Sequence, residues 1–143
     1  MRILGIDPGG TTGLAIIHIN EKVLRLTYCG TSRDETLVDQ EDLFKEADII
    51  VCEDWKTRPG MARTGAFDGD RMPATRVLGA AQTLARLSGK QFVLQAASIK
   101  PVGYGWSNQK YQKGKKGMHT QDAVAHAVYY AVQQGLCFPV KPS

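Results

Sequence analysis

The stretch RILGIDPGGTTGLAIIHINEKVLRLTYC, residues 2–29, decides the architecture of this chain. It contains three runs rich in apolar and β-branched residues, and Pro8-Gly9-Gly10 and Asn20-Glu21-Lys22 separate them. Runs of this composition are typical of strands, and Gly, Pro and Asn between them indicate turns. We therefore predict three strands joined by short turns as an antiparallel meander, over residues 2–7, 12–19 and 23–29.

Helical and strand patterns alternate after the meander. The sequence predicts helices over 32–47, 72–87 and 119–134, strands over 48–53 and 91–95, and loops over 55–70 and 103–117. Gly89 and Gly135 are placed to end the second and third helices. A meander followed by alternating helices and strands builds a mixed sheet with helices on its faces. Parallel crossovers place the fourth strand beside the first, and residues 1–143 are expected to form one domain.

Positive charge is concentrated in one part of the chain. Between Arg71 and Gln121 there is no Asp or Glu, but there are nine Lys and Arg residues. The rest of the chain carries 9 basic and 14 acidic residues. Solubility requires only interspersed charges, so this segregation favours a face that binds a polyanion such as nucleic acid.

Composition excludes several other classes of protein. With 43% hydrophobic and 22% charged residues, the chain has a globular composition. It has no apolar run of the roughly 20 residues that span a membrane and no secretory leader, so we expect no membrane partner and a cytoplasmic location. The three cysteines, Cys29, Cys52 and Cys137, lack the paired spacing of a zinc site.

Two predicted strands end in carboxylates. Asp7 ends the first strand, and Glu53 ends the run Ile49-Ile50-Val51-Cys52. A carboxylate at the end of a buried strand is costly unless a cation or hydrogen bonds meet it. Two acids at one edge of a sheet form a hard-cation site of the kind that Mg²⁺ or Mn²⁺ prefers. For either acid alone, a helix cap or a surface ion pair is the simpler explanation.

The last predicted helix adds two further candidates. Asp122 precedes a run of small or apolar residues that is interrupted by His126, and His119 lies three residues before Asp122. Residues three apart share one face of a helix, so this pair can bind an ion from one side. N-capping or a contact with the helix dipole explains Asp122 alone, but it leaves His119 without a role.

Three motifs together resemble the RuvC-type Holliday junction resolvases, nucleases of the RNase H-like fold. Residues 3–9, ILGIDPG, continuing to TGLA at 12–15, resemble their opening strand, and IVCE at 50–53 resembles their second acidic strand. HTQDAVA at 119–125 is similar to their closing helix, with its D/H-x-x-D-A-x-A pattern. Many relatives have Asp where this chain has His119. The motifs span nearly the whole chain in family order and imply an RNase H-like α/β fold with a mixed five-stranded sheet of order 3-2-1-4-5.

The resemblance also implies a reaction. Two Mg²⁺ or Mn²⁺ ions would be held by Asp7, Glu53, Asp122 and His119, with Asp7 bridging both, and would hydrolyse a DNA phosphodiester to leave a 5′-phosphate. His119 would bind one ion or position the attacking water. Relatives place supporting lysines in this stretch after a Gly-x-Gly, and here Gly103-Tyr104-Gly105 precedes Lys110 at a similar distance. Lys100 and Lys110 are the candidate catalytic lysines.

Further residues are candidates for contacts with branched DNA such as a four-way junction. Lysines near the last helix would bind phosphates, and Trp106, with Tyr104 and Tyr111, would stack on splayed bases, although these aromatics would equally well pack the loop onto the body. Small residues in the helix at 72–87 favour a homodimer, since symmetric nicking of a junction needs two active sites. The compact size is compatible with a bacterial or phage origin. The full set of candidate contacts is Arg58, Arg63, Arg71, Arg76, Lys100, Trp106, Lys110, Lys113, Lys115 and Lys116.

Three alternatives remain open from the sequence. The hairpin at residues 6–13 also resembles the phosphate-binding hairpin of sugar kinases and actin-like ATPases, which need two such lobes. A module that binds branched DNA without cutting it is a second alternative. A nuclease of the same fold acting on flaps, forks or ribosomal RNA precursors is the third, because the fold does not select the substrate.

Overall fold

The computed structural model describes residues 1–54 and 73–141. Within these two ranges the chain forms five strands and four α-helices. The strands are β1 Arg2–Asp7, β2 Thr11–Asn20, β3 Val23–Arg33, β4 Ile49–Asp54 and β5 Gln91–Ala96. The helices are α1 Glu41–Glu46, α2 Pro73–Leu87, α3 Lys100–Trp106 and α4 His119–Gln133.

The five strands form one mixed sheet in the order β3-β2-β1-β4-β5, which confirms the predicted order. The meander β1-β2-β3 is antiparallel, whereas β4 pairs parallel to β1 and β5 pairs parallel to β4. The central strand β1 therefore has an antiparallel neighbour on one side and a parallel neighbour on the other. Its carboxyl end lies at the same edge of the sheet as the carboxyl ends of β4 and β5.

Each face of the sheet is covered by its own hydrophobic cluster. On one face, Leu4 and Ile6 of β1 pack with Phe44 of α1 and Val77 of α2. On the other face, residues of β1, β2 and β4 pack against α4. Alternation along β1 thus sends odd-numbered side chains towards α4 and even-numbered ones towards α1 and α2.

Two glycines allow α4 to lie directly on the sheet. A Cβ atom added to Gly5 of β1 would stand 2.1 Å from the carbonyl oxygen of Ala123. A Cβ atom added to Gly13 of β2 would stand 1.8 Å from the carbonyl oxygen of His119. Any larger residue would therefore push the helix away from the strands. The first turn of α4 is held beside the end of β1 by this close backbone contact.

The helix predicted over 32–47 is wrong as a single element. Strand β3 continues to Arg33, a 3₁₀ segment follows over Asp34–Gln40, and α1 begins at Glu41. Thr, Val and Asp in this segment have low helix propensity, which favours the break. The apolar residues still serve the predicted purpose, because Leu37 and Phe44 are fully buried.

The loop predicted over 103–117 begins later than expected. A 3₁₀ turn over Ala97–Ile99 leads into α3, so residues 103–106 are helical. Its glycines suggested a loop, but a Cβ atom on Gly103 would stand 2.6 Å from the carbonyl oxygen of Ala125 in α4. Gly103 is thus required by close helix packing. Pro101 is tolerated because it lies in the first turn, where its missing N–H costs nothing.

The remaining elements agree closely with the sequence. Gly89 and Gly135 have φ values of 69° and 72°, as expected for residues that end helices. Of the small residues of α2, Ala74, Ala81 and Ala85 are buried within the chain. The homodimer expected through this helix stays a prediction. In the two described ranges, no helix is both long and apolar enough to cross a membrane.

Candidate active site

The parallel pairing of β1 and β4 brings Asp7 and Glu53 side by side. The register runs from Ile3 opposite Ile49 to Ile6 opposite Cys52, so the next residue on each strand is an acid. Strand alternation turns both carboxylates towards α4. Asp7 is 7% exposed and Glu53 is 6% exposed. The two acids predicted from separate strand ends therefore form one buried pair.

The first turn of α4 places His119 and Asp122 over this pair. The Nδ1 atom of His119 lies 3.5 Å from Oδ2 of Asp7. Asp122 does not cap the helix, because the N-cap residue is Met118 and no side chain caps it. The four residues predicted as metal ligands, which come from three separate elements, thus converge at one edge of the sheet.

Lys100, the first residue of α3, lies between two of these acids. Its ammonium nitrogen is 3.0 Å from Oε1 of Glu53 and 3.5 Å from Oδ2 of Asp122. Burial favours the neutral amine, but the hydrogen bond to Glu53 and the charges of Glu53 and Asp122 outweigh it and raise the pKa of Lys100. Lys100 is therefore held as a cation inside the acidic cluster formed by Asp7, Glu53 and Asp122.

The two paired carboxyl groups differ strongly in acidity. Burial, followed by repulsion from Glu53 and Asp122, raises the pKa of Asp7 to about 8. Burial also opposes ionisation of Glu53, but hydrogen bonds from His126 and Lys100 outweigh it and lower its pKa to about 2. At neutral pH Asp7 therefore keeps its proton, chiefly because it is buried and also because Glu53 and Asp122 repel a further negative charge.

Two buried donors hold the acids, a role that was predicted for neither of them. The fully buried His126 of α4 lies with its Nε2 atom 3.1 Å from Oε1 of Glu53. The hydroxyl of Tyr104 donates to Oδ1 of Asp122. His126 was visible in the sequence as the one polar residue within the run 123–128, whereas Tyr104 was considered only for stacking on bases because α3 was taken for a loop.

The donors fit a divalent cation in type, although they are not arranged as a finished metal site. No group of three or more His, Cys, Asp and Glu side chains in residues 1–54 and 73–141 is placed so that it could hold a metal ion. Carboxylate oxygens are nevertheless the preferred ligands of Mg²⁺ and Mn²⁺. The ammonium of Lys100 lies between Glu53 and Asp122, and Asp7 has a raised pKa. The cluster thus has the ligands and the charge that attract a cation.

A cleft of about 200 Å³ joins Asp122 to the lysine-rich segment, residues 110–116. Its lining includes Asp122, Lys100, Tyr111 and Lys115. One acidic and two basic side chains therefore meet in this cleft. The other lysines of the segment are exposed: Lys110, Lys113 and Lys116.

The aromatic residues of this region have different surroundings. Tyr104 is 1% exposed, so stacking of its ring on a base is excluded. Tyr111 meets Tyr104 edge-on with ring centroids 5.2 Å apart and is 38% exposed. Trp106 stacks on Tyr129 of α4 at a centroid distance of 5.2 Å and packs against the cluster beneath α4, so its contact with DNA stays a prediction.

The remaining predicted contacts lie away from the acidic cluster or outside the described residues. Arg76 is exposed on α2. Arg58, Arg63 and Arg71 lie outside the described residues, in the segment between β4 and α2. Their role in binding DNA stays a prediction.

Structural comparison places the chain among known folds. No protein-family model matches the sequence, and neither does any curated protein sequence. Solved structures do match: T. thermophilus RuvC, solved in complex with a Holliday junction substrate, gives a TM-score of 0.64 at 15% identity, covering 98% of this chain and 100% of the other. This chain has the RNase H-like fold. The predicted α/β fold class is therefore confirmed.

Poxvirus resolvase structures agree with this assignment. The fowlpox virus resolvase in complex with its substrate Holliday junction DNA gives a TM-score of 0.61 at 10% identity, covering 94% of this chain and 99% of that one. The fowlpox virus Holliday junction resolvase in a second structure gives 0.57 at 12% identity, with coverages of 95% and 100%. The predicted structural resemblance to Holliday junction resolvases is thus confirmed over nearly the full chain.

Proposed function

We propose that this protein is a divalent-metal-dependent endonuclease that cuts branched DNA, with four-way junctions as its substrate and a 5′-phosphate on the product. One observation carries the proposal. Three carboxylates from separate elements, Asp7, Glu53 and Asp122, meet at one edge of an RNase H-like sheet beside a basic cleft. Without a cation such a cluster repels phosphate, so its convergence favours a site that binds metal and then a nucleic-acid backbone.

In this proposal Asp7, Glu53, Asp122 and His119 hold two Mg²⁺ or Mn²⁺ ions. When bound, such ions lower the pKa of a water molecule and stabilise the leaving 3′ oxygen. The chain's own groups prepare this chemistry. Glu53 is already ionised because its pKa is about 2, and Lys100 supplies a fixed positive charge beside the scissile phosphate.

The lysine-rich segment provides the grip on DNA. Lys115 lines the same cleft as Asp122, and Lys110, Lys113 and Lys116 present further charges to solvent. Each phosphate that they neutralise makes binding more sensitive to salt.

A homodimer would present two such sites to the two strands cut in a junction. A cytoplasmic location in a bacterial host, whether the protein is encoded by host or phage, is part of the same proposal.

The test is a cleavage assay with matched substrates. End-labelled four-way junction, flap, fork, linear duplex and single strand of shared sequence are incubated with Mg²⁺ or Mn²⁺, alongside structured RNA. We expect paired nicks in the junction, ligatable 5′-phosphate ends, and no product in EDTA. Asp7→Asn should abolish cleavage, since it removes a ligand without changing the side chain's shape.

Asp54→Asn is the matched control, because Asp54 adjoins Glu53 but points to the opposite face of β4. It should cleave like the wild type. An uncut junction together with efficiently cut RNA would overturn the substrate. Binding of the junction without cleavage under any metal would favour a recognition module instead.

A further inference from the structure

Glu53 is connected to β5 through a buried histidine. His126, in the middle of α4, is fully buried, and its Nε2 atom lies 3.1 Å from Oε1 of Glu53. Its other ring nitrogen, Nδ1, lies 2.9 Å from Nε2 of Gln95 in β5. The same amide nitrogen lies 3.0 Å from the backbone carbonyl oxygen of His126. Gln95 itself is 9% exposed, so the whole chain of contacts is shielded from water.

The direction of each hydrogen bond follows from chemistry. The backbone carbonyl of His126 can only accept, so the Gln95 atom facing it must be the NH₂ group. That NH₂ group also faces Nδ1 of His126, which must therefore be the unprotonated nitrogen. The ring proton then lies on Nε2 and is donated to Glu53. His126 thus contacts Glu53 as a hydrogen-bond donor through Nε2.

We propose that His126, with its tautomer set by Gln95, is a positioning residue that holds the carboxylate of Glu53 in its working orientation. This inference rests on the proposed function, in which Glu53 is a metal ligand. An apolar side chain of similar volume would fill the space in α4 without needing a partner. Instead, a complete network links β5, α4 and β4, and no buried side-chain polar atom within the described ranges lacks a partner. Satisfied buried networks of this kind make a site rigid.

The network has a clear consequence for metal binding. Partners that orient a metal ligand typically contribute 10- to 100-fold in metal affinity or activity. We therefore expect His126→Leu to weaken Mn²⁺ binding about 10- to 100-fold, while His126→Gln, whose amide can still donate to Glu53, retains most of the affinity. Gln95→Leu should also weaken binding, because the ring then loses the partner that sets its tautomer.

The test combines ring spectra with metal titration. Long-range ¹H–¹⁵N correlation spectra of the metal-free protein report which nitrogen of His126 carries the proton, and we expect Nε2. Calorimetric Mn²⁺ titrations then compare the wild type, the three variants and Val128→Ala. Val128 is buried on the same helix against the core, so its truncation controls for lost stability and should leave Mn²⁺ affinity unchanged.

A proton on Nδ1, or His126→Leu binding Mn²⁺ as tightly as the wild type, would overturn the inference. Equal losses in His126→Leu and Val128→Ala would do the same, because both would then reflect stability alone. Failure of the proposed function is distinguishable. A wild type that binds Mn²⁺ with the expected dependence on His126 but cuts no DNA would refute the nuclease and leave the positioning role intact.

Discussion

Replacing Asp7 with Asn should stabilise the metal-free protein while destroying its proposed activity. Burial and the charges of Glu53 and Asp122 raise the pKa of Asp7 from 3.8 to about 8. The folded protein therefore binds this proton more tightly than the unfolded chain does. The resulting stabilisation is complete below about pH 4 and is lost as the pH rises towards 8. Asn keeps the shape and cannot ionise, so Asp7→Asn escapes this loss.

The magnitude follows from the size of the shift. One pKa unit corresponds to about 1.4 kcal/mol, so a rise from 3.8 to about 8 amounts to at most roughly 6 kcal/mol. The titration of Glu53 does not mask this difference in stability. Its pKa is lowered from 4.5 to about 2, so its contribution is present above pH 4.5 and is lost only as the pH falls towards 2. The difference between variant and wild type should thus be small at pH 4 and largest at pH 9.

Urea unfolding followed by circular dichroism in EDTA, at intervals from pH 4 to 9, measures this difference. Asp39→Asn is the control, since Asp39 is exposed and lies outside the acidic cluster. Its stability relative to the wild type should not change across the same range. A gap for Asp7→Asn that stays constant with pH would refute the reasoning. Saturating Mn²⁺ should reverse the order, because binding to the folded wild type stabilises it and the variant has lost a ligand.

Three further variants, with Gly79→Ala as a control, test the geometry of the site. Gly5→Ala should cost about 1–3 kcal/mol and reduce cleavage, because its methyl group displaces α4. Gly79→Ala, with open space around it, should stabilise the protein by up to about 1 kcal/mol. Equal denaturation midpoints for Gly5→Ala and Gly79→Ala would contradict these two expectations. Tyr104→Phe should remove the donor to Asp122, costing about 1 kcal/mol and weakening Mn²⁺ binding in calorimetry; unchanged binding would argue against this role. His119→Asp should retain cleavage and change the relative rates in Mg²⁺ and Mn²⁺, whereas complete loss of cleavage would refute its role as a replaceable ligand.

The fold was largely predictable because its determinants are local in the sequence. Apolar alternation in residues 2–29 and the buried run at 49–52 specify strands, and the turn residues between them specify the meander. The prediction of a single helix over 32–47 was wrong because the spacing of its apolar residues suits several conformations, and only packing decides among them. Helix α3 was not predicted because a glycine such as Gly103 is typical of loops. Its role in close packing against α4 exists only in the folded structure.

The sequence by itself determined which groups of the acidic cluster stand at strand and helix ends, because periodicity and turn chemistry act over a few residues. Asp7, Glu53, His119 and Asp122 were therefore identifiable one by one. Only the tertiary structure decided how these groups are partnered. The contact of Lys100 with Glu53, like those of Tyr104 and His126, joins elements distant in the chain, and such contacts exist only after the sheet has brought α3 and α4 together.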